Sequence, residues 1–522
     1  MFRYNQIVVI ISIILYSSIC NVFSQNETFV MTQIGSNNLL DVPFDLNYGP
    51  DNYLWVSEKN IAKIVRINPT TAERDELIQI PDAFSTGGQD GLLGFTFDPD
   101  FKNGSPFVYL SYTIGTNKLD LKQKIVRYTY SVTNNDGFLS APVVLLQNLP
   151  AFNDHNSGRL IFGADSMLYY TIGDQANKDC STNLAQILPT QQEVDVQNWN
   201  KYPGKILRIN PDGSIPDDNP ILNGVRSHIY SYGHRNPQGL VLGLNGFLYS
   251  SEHGPSSDDE INIINQGKNY GWPYVAGLRD NLQDGAICNA SNETLFTAAN
   301  YQDPIMSLFL PNSYRDPNCT DSWMCRLNIA PSSIAIYENS SISSWNKSLL
   351  LTSLKRGRVY RLKLNGDGLG VDEGSISQIF YTQNRYRDLV VSPDGKSIYI
   401  ITDSSGKTSD ESSMNVMNTV LNPGSILKFT LQESLSLKDE SIENNIKVWP
   451  NPTKSDLFIS VGKEGVVDMN IKLYNSLGQQ VKNVKNIHTG TNKLKIDDLA
   501  SGVYILKINY STFSIKKRVV ID

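Results

Sequence analysis

The sequence predicts an all-β protein, a β-propeller followed by a small β-sandwich. Aromatic residues are plentiful, with 26 Tyr, 19 Phe and 6 Trp among 522 residues, and such side chains suit a pleated surface. There are also 37 Gly and 24 Pro, and no long run repeats with a helical period. From Thr28 to Thr430, short hydrophobic runs alternate with Pro, Asp, Asn or Gly turns. That grammar marks radially repeated sheets. A strand about every 15 residues, at roughly four strands per blade, makes six or seven blades. A pair of β-sandwich domains is the alternative.

The chain opens with Arg3, an apolar stretch from Ile7 to Ile19 and the exit Val22-Phe23-Ser24. Residues 1–24 therefore read as a signal peptide. The stretch is too short to cross a membrane comfortably, and Ile19 before Cys20 does not suit a lipid anchor. The mature chain then meets an oxidising compartment with Cys180, Cys288, Cys319 and Cys325. Four cysteines allow three pairings. Cys319 and Cys325, six apart in NCTDSWMC, favour a local bridge, which leaves Cys180 for Cys288. A net charge of −7 without a basic run excludes a nucleic-acid partner.

Residues 28–430 form the expected propeller. YLWVSEKNIAKIVRINPTT, GRLIFGADSMLYYTIGD and LVVSPDGKSIYIITDSSG each read as strand, turn, strand. The stretch His228–Pro273 is the most bend-rich, and it carries His234, Arg235, Asn236, His253, Asp258, Asp259 and Glu260. Polar groups concentrated among turns point to a lined site at the mouths of strands. Residues 431–443 are polar, lack alternation and read as a linker. Residues 444–522 alternate apolar and polar residues, as in KVWPNPTKSDLFISV and ASGVYILKI, and predict a separate antiparallel sandwich. Charge inverts there, with twelve Lys and Arg against seven Asp and Glu over residues 441–522.

There are five histidines. His155 in FNDHNSGRL, beside Asp154 and ahead of Asp174, suits a general base oriented by a carboxylate. His234 suits a backbone-bonded role and His228 a packing role. Arg385 and Arg387 project the same way from an extended stretch. With Arg235, Lys355 and Arg356, they could bind a planar polycarboxylate. No zinc spacing, Walker loop, nucleophile elbow or EF-hand appears. The carbonyls and carboxylates of SEHGPSSDDE suit Ca²⁺.

An ordered set of motifs then resembles the glucose/sorbosone dehydrogenase family of soluble quinoproteins, over about residues 35–430. The set includes GLLGFTFDPDFKN, DHNSGRL, YYTIGDQ, HIYSYGHRNPQG, NYGWPYVAG, SLKRG, NRYRD and NPGS. The resemblance implies a six-bladed propeller that uses pyrroloquinoline quinone (PQQ) and Ca²⁺ to oxidise an aldose to a lactone. It implies that His155 takes the anomeric hydroxyl proton, supported by Asp174. Gln89 and Asp154 hold sugar and quinone, and Trp323 faces the sugar. Arg235 polarises the quinone oxygen with Asn236, while Lys355, Arg385, Arg387 and Asn328 contact the cofactor. It places Ca²⁺ on the carbonyls of Gly254 and Pro255. Further calcium at a homodimer contact would use Glu260, Tyr270, Ala276, Leu278 and Asp280.

The chain departs from that family in several places. Arg326 stands where a Trp is expected, Asn328 where a Thr is usual, and His253 in place of a Gln. The segment ANKDCSTNLAQIL is rearranged, with Asn183 near an expected Gln. Region 281–315 is short of a fourth dimer-calcium acid, for which Glu293 is the candidate. The tail resembles type IX secretion sorting domains through VWPNP, YNSLGQ, LASGVYILKI and KKRVVI. It implies engagement of that machinery and a secreted or cell-surface protein. The competing readings are a propeller lactonase or calcium-dependent hydrolase, a surface sugar-binding propeller, and an adhesion or carbohydrate-binding tail.

Overall fold

A computed structural model describes residues 27–522, except 135, 282–286, 289–291, 309–320, 322, 327, 410–415, 433–445, 462–468, 476–477, 488–489 and 510–513. The expected signal peptide, Cys319 and most of the expected linker lie outside the described residues. The chain divides into two compact units, 1–431 and 432–522.

In the first unit, the described residues form six four-stranded antiparallel sheets. Five run in chain order. The sixth orders Tyr386–Val391, Ser397–Thr402 and Ile426–Leu431, then takes the N-terminal strand Phe29–Ile34 as its outer edge. The first strands of the sheets are Pro43–Tyr48, Leu92–Phe97, Leu160–Phe162, Pro237–Leu242, Pro331–Tyr337 and Tyr386–Val391. Each contacts the first strand of the next sheet, and the last contacts the first, closing a ring. This is a six-bladed propeller, closed by pairing across nearly the whole unit.

Each junction between blades has its own hydrophobic cluster. Alternation along a strand feeds two clusters at once. Tyr399 and Ile401 pack toward the first blade, while Ile398 and Ile400 pack toward the fifth. Both faces of each sheet are covered, so the strands read as nearly continuous apolar runs.

The ring is also tied at its axis by one buried guanidinium. Arg159 is 5% exposed. Its Nη1 donates to Asp45 Oδ1 and, at 2.9 Å, to Asp388 Oδ2; its Nε donates to the Gln238 carbonyl at 3.1 Å. Asp45 Oδ2 accepts from the Phe95 backbone N–H at 2.8 Å, and Nη2 of Arg159 donates to the Ser332 carbonyl at 3.4 Å. All six blades therefore meet in one polar network.

His228 is packed against Trp199, with Tyr202 Oη 3.2 Å from Nδ1 and the Gly213 carbonyl 3.2 Å from Nε2. Burial pulls this imidazole down to about 4. Between that value and the ordinary one near 6.5, the unfolded chain holds a proton that the native chain does not. Stability present above about pH 6.5 is therefore lost as pH falls toward 4, by up to about 3 kcal/mol. Denaturant titrations across that window should show the decline, and His228→Gln should flatten it. An unchanged slope in the variant would exclude His228 as its source.

The second unit forms two sheets. Ile446–Trp449, Asp456–Val461 and Gly490–Lys495 make one, and Gln480–Ile487, Met469–Tyr474, Gly502–Asn509 and Ser514–Ile521 the other. Leu457 and Ile459 of the first share one cluster with Ile471, Leu473, Tyr504, Leu506 and Ile508 of the second. The period-two spacing of those residues is the inward face of each strand.

Candidate active site

In an antiparallel blade, the entry to the first strand and the exit from the second lie at the same end. Gln89, Asp154, His155, Arg235, Asn328 and Arg385 lie on entries, and Asp174, His253, Gly254 and Pro255 on exits. Together with Arg387 and Trp323, they line one cavity of about 630 Å³. Five of the first strands also carry a register shift near their start, including Pro237/Gly239 and Tyr386/Asp388. Such bulges re-aim side chains, and Gln238 and Arg387 at two of them reach the cavity wall.

His155 is 8% exposed, and its Nδ1 lies 2.7 Å from Asp174 Oδ1. Its backbone is left-handed at φ 50°, a conformation costing a non-glycine residue about 1 kcal/mol. Asp174 is held on its other side by Trp272 Nε1 at 2.8 Å and Asn183 Nδ2 at 3.3 Å, and the Ala176 N–H donates to Oδ1 at 3.0 Å. Gly173 before it is required by close approach, since a Cβ there would collide with the His155 carbonyl. A carboxylate only accepts, so Nδ1 of His155 carries the proton and Nε2 presents a lone pair. A base facing the cavity is the result.

Opposite chemistry comes from the cations. Arg235 lies over the Trp272 ring, 5.4 Å from its centroid, and Nη1 donates to the His253 carbonyl at 3.0 Å. Its backbone N–H and that of Asn236 both donate to Glu252 Oε1, whose other oxygen lies 3.0 Å from His234 Nδ1. Burial pulls the guanidinium down from its ordinary value against the Asp174 and Glu252 carboxylates, and it remains a cation. Arg235 Nε and Asn236 Nδ2 are buried without a hydrogen-bond partner among the described residues. Arg235 lines the cavity, and a buried donor left unpaired there suits an acceptor-rich ligand.

Arg385 and Arg387 share Asp403, through Nε contacts of 3.0 and 2.9 Å. Burial pushes Asp403 up, but Arg387 and Arg385 outweigh it and hold the carboxyl below its usual range. Arg385 also lies 5.3 Å from the Trp323 ring centroid. Asp403 and Trp272 were not among the expected site residues. The only sequence hint was their position, one just past a strand in YIITDSSG and the other before Pro in NYGWP.

Two expected cofactor contacts do not line the cavity. Asn236 is fully buried, its Oδ1 accepting from Ser157 Oγ and Gln238 Nε2. Lys355 is buried, and its Nζ donates to the Arg326 carbonyl at 2.9 Å and Asn328 Oδ1 at 2.7 Å.

The carbonyls expected to hold Ca²⁺ are both engaged. Asn328 Nδ2 donates to Gly254 O at 3.3 Å and Arg326 Nη1 to Pro255 O at 3.1 Å. The bond from Lys355 fixes the amide with its nitrogen toward Gly254. Calcium needs oxygens at about 2.3–2.6 Å; with these donors in place the pair does not fit it. The other expected ligands lie apart from the cavity. Glu260 accepts from Gly277 N–H at 2.8 Å and Asn262 Nδ2 at 2.9 Å, Tyr270 donates to the Ile263 carbonyl, and the Ala276 N–H donates to Glu293 at 3.0 Å. Leu278 and Asp280 are exposed.

Beside the cavity, Cys180 is bonded to Cys288, with Cα atoms 5.5 Å apart. This is the pairing expected by elimination. It ties the rearranged segment, which brings Ala176, Asn177 and Lys178 to the wall, to the neighbour of Ile287. Cys325 is also disulfide-bonded.

Residues 40–410 match the family model for glucose/sorbosone dehydrogenase, and residues 447–522 that for a secretion system C-terminal sorting domain. The chain is 41% identical over 446 residues to quinoprotein glucose dehydrogenase B of Acinetobacter calcoaceticus, covering 78% of this chain and 92% of that one. It is 29% identical over 373 residues to aldose sugar dehydrogenase YliI of Escherichia coli, covering 70% and 88%. A solved PQQ-bound aldose sugar dehydrogenase from Streptomyces coelicolor superposes with a TM-score of 0.54 at 25% identity, covering 78% of this chain and 99% of that one.

Proposed function

This chain belongs to the glucose/sorbosone dehydrogenase family, and from that premise we propose that it oxidises aldose sugars at the anomeric carbon to lactones with PQQ as cofactor. The observation that carries the reading is the His155–Asp174 pair, 2.7 Å apart, opening onto the cavity that Arg235, Arg385 and Arg387 also line. When bound, PQQ supplies the hydride-accepting chemistry. The buried unpaired Nε of Arg235 and the Asp403-held guanidinia fit its acceptor-rich, anionic skeleton.

The chain's own work is positional and electrostatic. Nε2 of His155 takes the proton of the anomeric hydroxyl, and Asp174 stabilises the imidazolium that results. Gln89 and Asp154 in the wall orient the sugar hydroxyls. Arg235, in the cavity wall with its Nε free among the described residues, would hold an acceptor of the bound quinone and stabilise negative charge there. Arg385 and Arg387 bind carboxylates, and Asp403 keeps the two guanidinia from repelling one another. As the Gly254 and Pro255 carbonyls are arranged, no step passes through Ca²⁺. A lactonase or a sugar-binding propeller leaves the paired Arg385 and Arg387 without a role.

We also propose that the C-terminal sandwich addresses the protein to the type IX machinery, so that the propeller works outside the cell or on its surface. The sorting-domain match over 447–522 supports that route.

The test is to load the purified protein with PQQ, supply a panel of aldoses and follow reduction of an artificial dye. Turnover that requires both PQQ and an aldose is expected. Well-folded, PQQ-loaded protein that oxidises no aldose would overturn the assignment.

A further inference from the structure

We infer that Arg326 is the resident cation of the Gly254–Pro255 carbonyls, and that PQQ loads into this chain without a divalent ion there. The inference rests on the PQQ reading above. Its basis is one side chain at a position where the family resemblance leads one to expect a Trp. The Arg326 guanidinium lines the same cavity as Arg235, Arg385 and Arg387, and Nη1 donates to Pro255 O at 3.1 Å.

The surrounding structure holds the guanidinium in that position. The Arg326 carbonyl accepts from Lys355 Nζ at 2.9 Å and Arg356 Nη2 at 3.1 Å, so two donors hold the Arg326 backbone. Asn328, with its oxygen taken by Lys355, turns its amide nitrogen to Gly254 O. The facing loop is tied by a buried carboxylate. Asp259 accepts from the backbone N–H groups of Gly254 at 2.9 Å, Ile329 at 2.6 Å and Ala330 at 3.1 Å, joining both sides of the arrangement.

A divalent ion bound to Pro255 O would sit against a guanidinium bonded to the same atom, and like charges at such a distance repel strongly. Among the described residues, the two carbonyls expected to hold an ion are neutral and already accept hydrogen bonds, where calcium gathers six to eight oxygens. Arg326 instead brings permanent positive charge and donors suited to an anionic, acceptor-rich ligand. It performs at the cavity wall the charge-compensating part that a bound cation would have.

Equilibrium dialysis of PQQ against the metal-stripped full chain tests this, in EDTA and in excess Ca²⁺. Wild-type affinity in EDTA is expected to stay within about threefold of that in Ca²⁺, whereas Arg326→Met weakens about tenfold or more in EDTA and recovers with Ca²⁺. Arg326→Gln is the second neutral variant and should behave likewise, with circular dichroism confirming the fold of each. A wild type that loses affinity about tenfold or more in EDTA overturns the inference and leaves the PQQ reading standing. So does a neutral variant as indifferent to EDTA as the wild type. Protein that binds no PQQ in either buffer overturns both.

Discussion

His155→Ala is expected to lower aldose turnover by about 10²–10⁴-fold, the usual worth of a positioned base, while PQQ still loads. The loss should fall on the proton transfer, because the proposed cofactor contacts, Arg235, Arg385 and Arg387, lie on other blades. Nδ1 of His155 is bound to Asp174 at 2.7 Å, which leaves Nε2 as the nitrogen able to take a substrate proton. Steady-state dye reduction measures the rate, and absorbance of bound cofactor measures loading. Added imidazole should restore part of the rate, because a small base can enter the space left by the ring. A variant that keeps turnover within about tenfold of wild type, fully loaded, would remove His155 from the proton step.

Arg159→Met is expected to cost about 3–5 kcal/mol of stability, the penalty for stranding buried charges. Burial already pushes Asp45 well up, against the pull of Arg159, and Asp388 adds to the rise. Without the guanidinium, both carboxylates face each other at the axis. Two further outcomes separate this cause from lost packing. The deficit should shrink as pH falls, because protonation removes the stranded charge. It should also shrink in the triple variant Arg159→Met, Asp45→Asn, Asp388→Asn. Denaturant midpoints of the three proteins, read at several pH values, decide the matter. A deficit that ignores pH and is no smaller in the triple variant would point to packing instead.

The two variants illustrate what was legible in the chain. DHNSGRL showed His155 beside a carboxylate, and the spacing to YYTIGD brought Asp174 into consideration, since both lie at the ends of strands in one blade. Local motifs of that kind are readable because a few residues of turn and strand set their geometry. Arg159 sits in the same motif and gave no sign of its place at the axis, because its partners Asp45 and Asp388 lie 114 and 229 residues away. Asp403 was overlooked for the same reason. It is an ordinary strand-end Asp until the sheet register brings Thr402 opposite Tyr386 and sets the carboxylate between two guanidinia.

Lys355 shows the opposite case. Residue type and motif placed it on the cofactor, and the fold occupies its Nζ with the Arg326 carbonyl and Asn328 Oδ1. A side chain's type states what it can bind and leaves open which partner it meets.

By itself, the chain's pattern of turns, aromatics and apolar runs determined an all-β propeller with a separate sandwich tail. That information is local, because strand and turn preferences depend on neighbouring residues. Only the tertiary structure decided that Phe29–Ile34 closes the ring and that Arg159 joins all six blades; six blades, and a shared site for the cations and His155, were already implied by the motifs. It also decided that Arg326 meets the Pro255 carbonyl. Those facts depend on register and ring closure among residues far apart in sequence, which no local preference encodes.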